Sequence, residues 1–319
     1  MEVSSLPQEL KNRSAVKPLK RRNGKNDREK RYEFLCILPA ITLLIITNYY
    51  PLADLFRISF TNWNLLNADY KYVGLKNWAW LWKDLLGGGR VLNAFGVTFV
   101  YTIGHMLLLI AGGLLLALLF NRMTRTFSIL RALVFMPKYI AASSAAIVFL
   151  WLFNTEYGYV NFIVRQLGGE NIGWLSNKTL AMVTLILVTS WHGVGYDMMI
   201  YLSAMRGISK EYYEAAMIDG AGRTACFFRI TLPLLAPTTV FLMVTQFIGS
   251  MKVFQSVDVL TGGGPSGATD VIVNNIYQLA FKDYRIDRAA VVSILFFIVL
   301  LVFTRLTVKW TDRSVNYDA

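Results

Sequence analysis

The stretch Glu211–Pro233, EYYEAAMIDGAGRTACFFRITLP, decides how this chain is organised. It is a polar interruption between two strongly apolar blocks. Its pattern is Glu-Ala-Ala, three residues, glycine, nine residues, then Ile-x-Leu-Pro, carried by Glu214, Ala215, Ala216, Gly220, Ile230, Leu232 and Pro233.

Local physics predicts a helix–turn–helix hairpin over this stretch. Ser209 is a suitable N-cap, and the acidic Glu211 favours the first helical turn. Gly220 predicts the turn because glycine takes positive φ without a Cβ clash. A second short helix then runs from Arg223 to about Leu232. Pro233 and Pro237 fit near the start of the next membrane helix, where the loss of an N–H group costs least.

Composition indicates a membrane protein. Of the 319 residues, 55% are hydrophobic and only 16% are charged, whereas a soluble domain has about 25% charged residues. A spanning helix needs about 20 predominantly apolar residues. Six segments meet this requirement, and we predict an all-α, polytopic fold with spans at about 34–56, 93–120, 129–153, 180–202, 234–257 and 289–308, with the hairpin in the loop 203–233.

Lys and Arg residues set the orientation. When loops are assigned to alternate sides, twenty of the 32 lie on the side of the N-terminal segment and the hairpin, and ten lie on the other side. Lys138 and Lys252 fall within predicted spans. The excess predicts that both termini and the hairpin are cytoplasmic.

Residues 1–33 carry ten positive charges and no apolar periodicity. We predict a disordered basic tail lying on anionic lipid, followed by one membrane domain over residues 34–319. Because the positive charge is explained by membrane orientation, no nucleic-acid partner is expected.

Two loops on the side opposite the hairpin stand out. The first, about residues 57–92, contains Trp63, Trp78, Trp80 and Trp82. It is interpreted as an interfacial helix on the outer leaflet, compatible with a docking surface for an external protein. The second contains the run LTGGGP at residues 260–265, whose irregular backbone must lie at the surface or be packed within protein.

These features together resemble a known family. The spacing around Glu214, the segments FTNWN (60–64) and VGLKNW (73–78), the glycine run and the six-span plan resemble permease subunits of ATP-binding-cassette (ABC) importers, carbohydrate uptake class 1. The resemblance covers nearly the whole chain. The compact plan is similar to the glycerol-phosphate and lactose-type members and lacks the extra spans of the larger maltose permease.

The resemblance implies a type I ABC importer permease in a bacterial plasma (inner) membrane. Its partners would be a second homologous permease, two ATP-binding subunits that hold ATP and Mg, and an extracellular or periplasmic sugar-binding protein. The chain would form half of a path for a sugar, with oligosaccharide as the first expectation. Glu214, Ala215, Ala216 and Gly220 would contact the ATP-binding subunit and transmit its movement.

The chain lacks the motifs of catalysis. It has no G-x-x-x-x-G-K-[ST] loop, so it is not expected to bind or hydrolyse ATP itself. With two histidines, two distant cysteines and no nucleophile motif, it suggests no metal site, disulfide, catalytic residue or cofactor. A secondary transporter or channel is the alternative function, and an intramembrane enzyme is a weaker one.

Polar residues within predicted spans are candidates for a substrate path, because such residues usually face a cavity or a partner. An aromatic ring beside amide and charged groups would suit a sugar. Structural explanations stay open, including packing by Trp191, a pair between Asp197 and Lys138, and snorkelling by Lys252. The candidates are Trp191, His192, Asp197, Gln246, Ser250, Lys252 and Gln255.

Overall fold

The computed structural model describes residues 27–66 and 69–314, and these residues are helical almost throughout. Their β-pairing is limited to an isolated bridge between Thr61 and Tyr72. The prediction of an all-α fold is confirmed.

The chain forms two compact units, Met1–Asp54 and Leu55–Ala319. In the first, helix α1 (Asp27–Leu44) passes through a π-helical turn (Ile45–Tyr49) into helix α2 (Tyr50–Ser59), which extends into the second unit. Together these segments contain the first predicted span.

The start of α1 corrects one prediction. Residues 27–33 are helical, so the expectation of disorder is wrong for this part of the basic tail. The sequence DREKRYE is polar but rich in Arg, Glu and Lys, which are strong helix formers even without apolar periodicity. The rest of the predicted tail, residues 1–26, lies outside the described residues.

The second unit contains three long helices, two bent helix pairs and several short helices. In chain order they are α3 (Lys76–Leu86), α4 (Arg90–Leu119), α5 (Arg125–Phe135), α6 (Ala142–Leu152), α7 (Tyr159–Gln166), α8 (Lys178–Gly207), α9 (Lys210–Ile218), α10 (Arg223–Cys226), α11 (Leu232–Leu234), α12 (Ala236–Met251), α13 (Gln255–Leu260), α14 (Ile272–Tyr277) and α15 (Ile286–Ser314). Among the described residues, four helical segments are long and apolar enough to cross a membrane, or six if each bent pair counts as one span.

The third predicted span, 129–153, is not a single straight helix. Helix α5 passes into a 3₁₀ turn (Met136–Tyr139), and α6 starts after a bend of 99°. The break falls at Ile140, whose backbone is extended (φ −76°, ψ 135°). Pro137 lies in the 3₁₀ turn and supplies no N–H donor for a continuous α-helix.

The fifth predicted span, 234–257, is also wrong in its bounds. Helix α12 ends at Met251, and the next helix begins at Gln255. At its other end α12 follows the hairpin's second arm, with a bend of 59° between Arg223–Leu234 and Ala236–Met251. Pro233 and Pro237 lie at the first positions of α11 and α12, as expected for proline near helix starts.

The first loop opposite the hairpin forms helix α3, as predicted. Leu81 is buried in a hydrophobic cluster, and Trp78 and Trp80 pack against the same cluster. Trp82 is 60% exposed. Contact of its side chain with lipid stays a prediction.

The glycine run lies partly at the surface and partly packed within protein, since Gly262 is exposed and Gly263 is buried. Gly262 and Gly263 have φ of 59° and 87°. A Cβ on Gly263 would fall 2.7 Å from the Asn274 Nδ2 atom and 3.2 Å from the Asp270 Oδ1 atom. Asp270 in turn forms an ion pair with Arg90 at the start of α4 (3.2 Å). The loop is therefore anchored to the end of a spanning helix.

Thr98 provides a buried anchor between α4 and the segment after the glycine run. Its Oγ1 accepts a hydrogen bond from the Ile272 N–H group (2.8 Å) and donates to the Ala94 carbonyl (2.6 Å). Both Thr98 and Ile272 are fully buried. The hydroxyl therefore satisfies a backbone donor at the start of α14.

Thr98→Val should destabilise the protein by about 1–3 kcal/mol, because it leaves a buried N–H group without an acceptor. Thr102→Val is the matched control: it is buried one turn further along α4, and its Oγ1 has no hydrogen-bond partner in the part of the chain that the structure describes. Thermal unfolding of the purified protein checks this pair. Equal unfolding temperatures for the two variants would contradict the assigned role of Thr98.

Candidate functional site

The first arm of the hairpin is a short helix with a side-chain cap. Ser209 has extended dihedral angles, and its Oγ accepts a hydrogen bond from the Glu211 N–H group (3.3 Å). Glu211 lies in the first turn of α9, where its charge favours the positive end of the helix dipole. The predicted cap and first helix are confirmed.

The turn after α9 is a Schellman motif. Gly220 has φ of 79°; its N–H donates to the Met217 carbonyl (3.1 Å), and the Ala221 N–H donates to the Ala216 carbonyl (2.9 Å). A Cβ on Gly220 would meet no atom within 4 Å. The glycine is therefore required by backbone conformation and not by space.

The exposed surface of the hairpin combines a carboxylate with small and apolar side chains. Glu214 and Ala215 are exposed, and Ala216 is half-buried. Near the tip, Met217 is 61% and Ile218 is 87% exposed. This surface can admit another protein closely and present one negative charge to it.

The two arms are joined by a hydrogen bond that the sequence did not indicate. The Tyr213 hydroxyl lies 2.9 Å from the Thr231 Oγ1 atom. Thr231 is the last residue of a π-helical turn (Phe227–Thr231) that continues α10. The second arm therefore runs through residue 234, two residues beyond its predicted end.

A partly open cavity of about 200 Å³ lies within the second unit. Helices α4, α8 and α12 contribute to its wall, together with residues on both sides of the bend between α5 and α6. Of the predicted path residues, His192, Gln246 and Ser250 line it. Lys138 lines it as well.

Hydrogen-bonded side chains from three spans form one wall of this cavity. His105 Nδ1 lies 2.8 Å from the Ser250 Oγ atom, and the His105 ring stacks on Tyr101 with centroids 5.3 Å apart. The Tyr101 hydroxyl donates to Thr189 Oγ1 (3.0 Å). His105 Nε2 is buried without a hydrogen-bond partner among the described residues.

The bend between α5 and α6 is held against the fourth span. His192 Nε2 donates to the Ile140 carbonyl (2.8 Å), which is the position where the backbone becomes extended. Lys138 places its ammonium over the Tyr196 ring, 5.7 Å from the ring centroid. Both contacts therefore join the bend to α8, which carries His192 and Tyr196.

The remaining predicted path residues lie elsewhere. Asp197 is buried, and its Oδ1 accepts a hydrogen bond from Gln246. Its Oδ2 has no hydrogen-bond partner among the described residues, so the pair with Lys138 that the sequence left open is not formed. Trp191 packs edge-on against Phe149, with centroids 5.0 Å apart, and is not among the cavity-lining residues.

Lys252 and Gln255 were predicted to lie within the fifth span, 234–257, and this is wrong. Lys252 follows the last residue of α12, and Gln255 begins α13. Both are exposed. The apolar residues of 253–257 extended the predicted span across a break that hydropathy does not detect.

Sequence reasoning missed several cavity residues, namely Tyr101, His105, Thr189 and Ser256. His105 gave a usable signal, because a polar residue inside an apolar 30-residue helix usually faces a cavity or partner. Tyr101 and Thr189 gave none, since both occur commonly in membrane helices.

Comparison with known proteins identifies the chain's family. A family profile described as "Binding-protein-dependent transport system inner membrane component" matches residues 109–317, well over half of the chain. The chain belongs to this family. The matched region of this permease includes the hairpin.

Individual relatives of the chain are also transport system permeases. The permease is 30% identical over 285 residues to the trehalose/maltose transport system permease protein MalF of Thermococcus litoralis, covering 88% of this chain and 94% of the relative. It is 28% identical over 287 residues to the sn-glycerol-3-phosphate transport system permease protein UgpA of Agrobacterium fabrum, covering 89% and 96%.

A solved structure shows the same fold. A chain of a bacterial ABC transporter involved in the import of the acidic polysaccharide alginate superposes with a TM-score of 0.80 and 23% identity, covering 91% of the permease and 98% of that chain. The predicted ABC importer permease fold is confirmed. The permease is a non-catalytic membrane subunit of an ABC transporter that works with a binding protein, and ATP is used by partner subunits.

Proposed function

We propose that this permease imports a sugar, with an oligosaccharide as the first candidate. Its cavity is lined by the aromatic side chains of Tyr101 and His105 and by the polar side chains of Thr189, Gln246 and Ser250, the kinds of group that bind sugars. The relative from Thermococcus litoralis is named for trehalose and maltose, which supports this class. Glycerol phosphate is the second candidate, supported by the name of the Agrobacterium relative.

We also propose a coupling role for the hairpin, in which it transmits the movement of an ATP-binding subunit to the permease. The geometry of the hairpin supports this role. Glu214, Ala215 and Ala216 lie on a capped helix that ends in a glycine-dependent turn at Gly220, and they are exposed or half-buried. We assign these four residues to the contact with an ATP-binding subunit. Met217 and Ile218 add apolar surface to the same contact, because exposed large apolar side chains mark interaction sites.

The cavity supports a shared translocation path. At about 200 Å³ it is smaller than the roughly 300–1,000 Å³ usual for ligand pockets. A second, homologous permease would supply the other half of the path. Two ATP-binding subunits, with ATP and Mg, would then dock one hairpin each.

Charge placement supports the orientation in a bacterial inner membrane. Because α12 ends before Lys252, this residue joins the ten cations opposite the hairpin, against twenty on the hairpin side. The asymmetry favours a cytoplasmic hairpin and cytoplasmic termini. The sugar-binding protein would then approach the opposite, outer end, where α3 and the glycine run lie.

The test is ATP hydrolysis by the importer reconstituted in lipid. The permease is purified with the proteins that accompany it, and its binding protein is added with maltose, trehalose, maltotriose or glycerol 3-phosphate. We expect an ATP-binding subunit to co-purify, and one or more sugars to stimulate hydrolysis several-fold.

The outcomes separate the parts of the proposal. Stimulation by glycerol 3-phosphate alone would overturn the sugar assignment and retain the coupling role. Purification without an ATP-binding subunit would overturn the coupling role of the hairpin.

A further inference from the structure

The hairpin has almost no core of its own. Within residues 210–234, all of which the structure describes, Thr231 alone is buried, with 5% of its surface exposed. Helix α9 has no buried residue. Hydrophobic packing therefore does little to hold the two arms of the hairpin to each other.

The Tyr213–Thr231 hydrogen bond is the side-chain hydrogen bond that joins α9 to the second arm within that range. Tyr213 is the immediate neighbour of Glu214, at the proposed contact with the ATP-binding subunit. Thr231 lies four residues before Leu235, at which the chain bends into α12. Helix α12 carries Gln246 and Ser250 to the cavity.

We propose that Tyr213 and Thr231 are positioning residues that make the two arms of the hairpin move as one lever. The proposal rests on the coupling role given to the hairpin above. When the ATP-binding subunits move α9, the hydroxyl pair passes the displacement to the start of α12 and so to the cavity wall. Without the bond, α9 moves with its partner subunit while the second arm lags.

A similar pair on the other side of the bend provides a contrast. The Tyr201 hydroxyl donates to Thr239 Oγ1 (3.1 Å), joining α8 to α12 within the spans. The chain leaves regular helical geometry at two places between these pairs. One is Ile208, between Tyr201 and Tyr213, where the backbone is extended (φ −75°, ψ 124°). The other is the bend near Leu235, between Thr231 and Thr239. These breaks are where the lever would pivot.

The two pairs differ in their surroundings. Tyr201 belongs to a buried hydrophobic cluster with Leu202, Leu235 and Leu242, so α8 and α12 stay packed without the hydroxyl bond. The hairpin has no such cluster. Tyr201→Phe is therefore a matched control that removes the same kind of bond without freeing the hairpin arms.

The experiment uses the complete importer, reconstituted with its partner subunits and binding protein, in a permease whose Cys36 and Cys226 are replaced by alanine. A reporter cysteine is placed by Ser256→Cys, because Ser256 lines the cavity at the end opposite the hairpin. Its labelling by a membrane-impermeant maleimide is measured without nucleotide and after trapping with ATP and vanadate. ATP hydrolysis is measured on the same samples.

With Tyr213→Phe, we expect ATP-binding subunits to stay bound and hydrolysis to continue, while the nucleotide-driven change in labelling falls about fivefold, the effect of losing one hydrogen bond from the coupling. Thr231→Val should act alike, and the double variant should be no worse than either single variant. Thr231→Ser, which keeps the hydroxyl, should restore the change. Tyr201→Phe should leave it intact.

Two results would overturn the lever. One is a full labelling change in both Tyr213→Phe and Thr231→Val; the other is an equal loss in Tyr201→Phe, which would make the bonds merely structural. If the reference permease neither binds ATP-binding subunits nor changes its labelling with nucleotide, the coupling role itself fails. That result is distinguishable from failure of the lever alone.

Discussion

Glu214→Lys should reduce binding-protein-stimulated ATP hydrolysis of the reconstituted importer by about 30-fold or more. Glu214 is exposed on α9 and has no ion-pair partner within the described part of the chain, so its charge is available to a basic partner. If Glu214 meets a basic residue of the partner, the reversal places two like charges together, which costs several kcal/mol at an interface. Each 1.4 kcal/mol is tenfold in affinity. Co-purification of the ATP-binding subunit should decline in parallel.

Glu170→Lys is the matched control for this charge reversal. Glu170 is also exposed, but it lies in the loop between α7 and α8, at the end of the spans opposite the hairpin. The control should bind ATP-binding subunits normally. Normal hydrolysis in Glu214→Lys, at equal expression, would remove Glu214 from the contact.

Gly195→Ala should strongly destabilise the permease. Gly195 on α8 faces the end of α5, and a Cβ there would fall 2.7 Å from the Phe135 Cα atom and 2.9 Å from the Val134 carbonyl carbon. These are backbone atoms, so α5 must move away as a whole. Overpacking of this kind costs about 1–3 kcal/mol, and here it acts one turn from the His192–Ile140 hydrogen bond that holds the bend.

The measurement is the thermal unfolding temperature of the purified permease, together with its monodisperse yield. Gly207→Ala is the control, because it lies at the end of the same helix and a Cβ there would meet no atom within 4 Å. We expect Gly195→Ala to unfold several degrees lower and Gly207→Ala to match the native protein. Equal stability of both variants would mean that α8 and α5 are not in close contact at Gly195.

The hairpin was predictable because its determinants are local. A capping serine, an acidic first turn and a glycine that adopts positive φ are all contained in Ser209–Gly220 and need no distant contact. The family spacing is also local, because it lies within Glu214–Pro233. The Tyr213–Thr231 bond was not predictable, because 18 residues and a turn separate the two hydroxyls.

The apolar segments that could span a membrane were also predictable, because the bilayer thickness fixes how many apolar residues a spanning helix must contain. Among the described residues they amount to four helical segments, or six if each bent pair counts as one span. The breaks in the helices of the third and fifth predicted spans were not predictable. Hydropathy treats residues 129–153 as continuous, whereas Pro137 and the extended Ile140 bend the helix by 99°. The same limitation placed Lys252 and Gln255 on α12, which ends at Met251.

The sequence alone determined the membrane class, the hairpin and the family, because composition, apolar length and local turn chemistry are properties of contiguous residues. Only the tertiary structure decided which polar side chains share a cavity. His105, His192 and Ser250 meet because close helix packing at glycines and a bend stabilised by a carbonyl hydrogen bond bring distant turns together. Trp191 lies next to His192 in sequence yet packs against Phe149, because adjacent residues on a helix point in different directions.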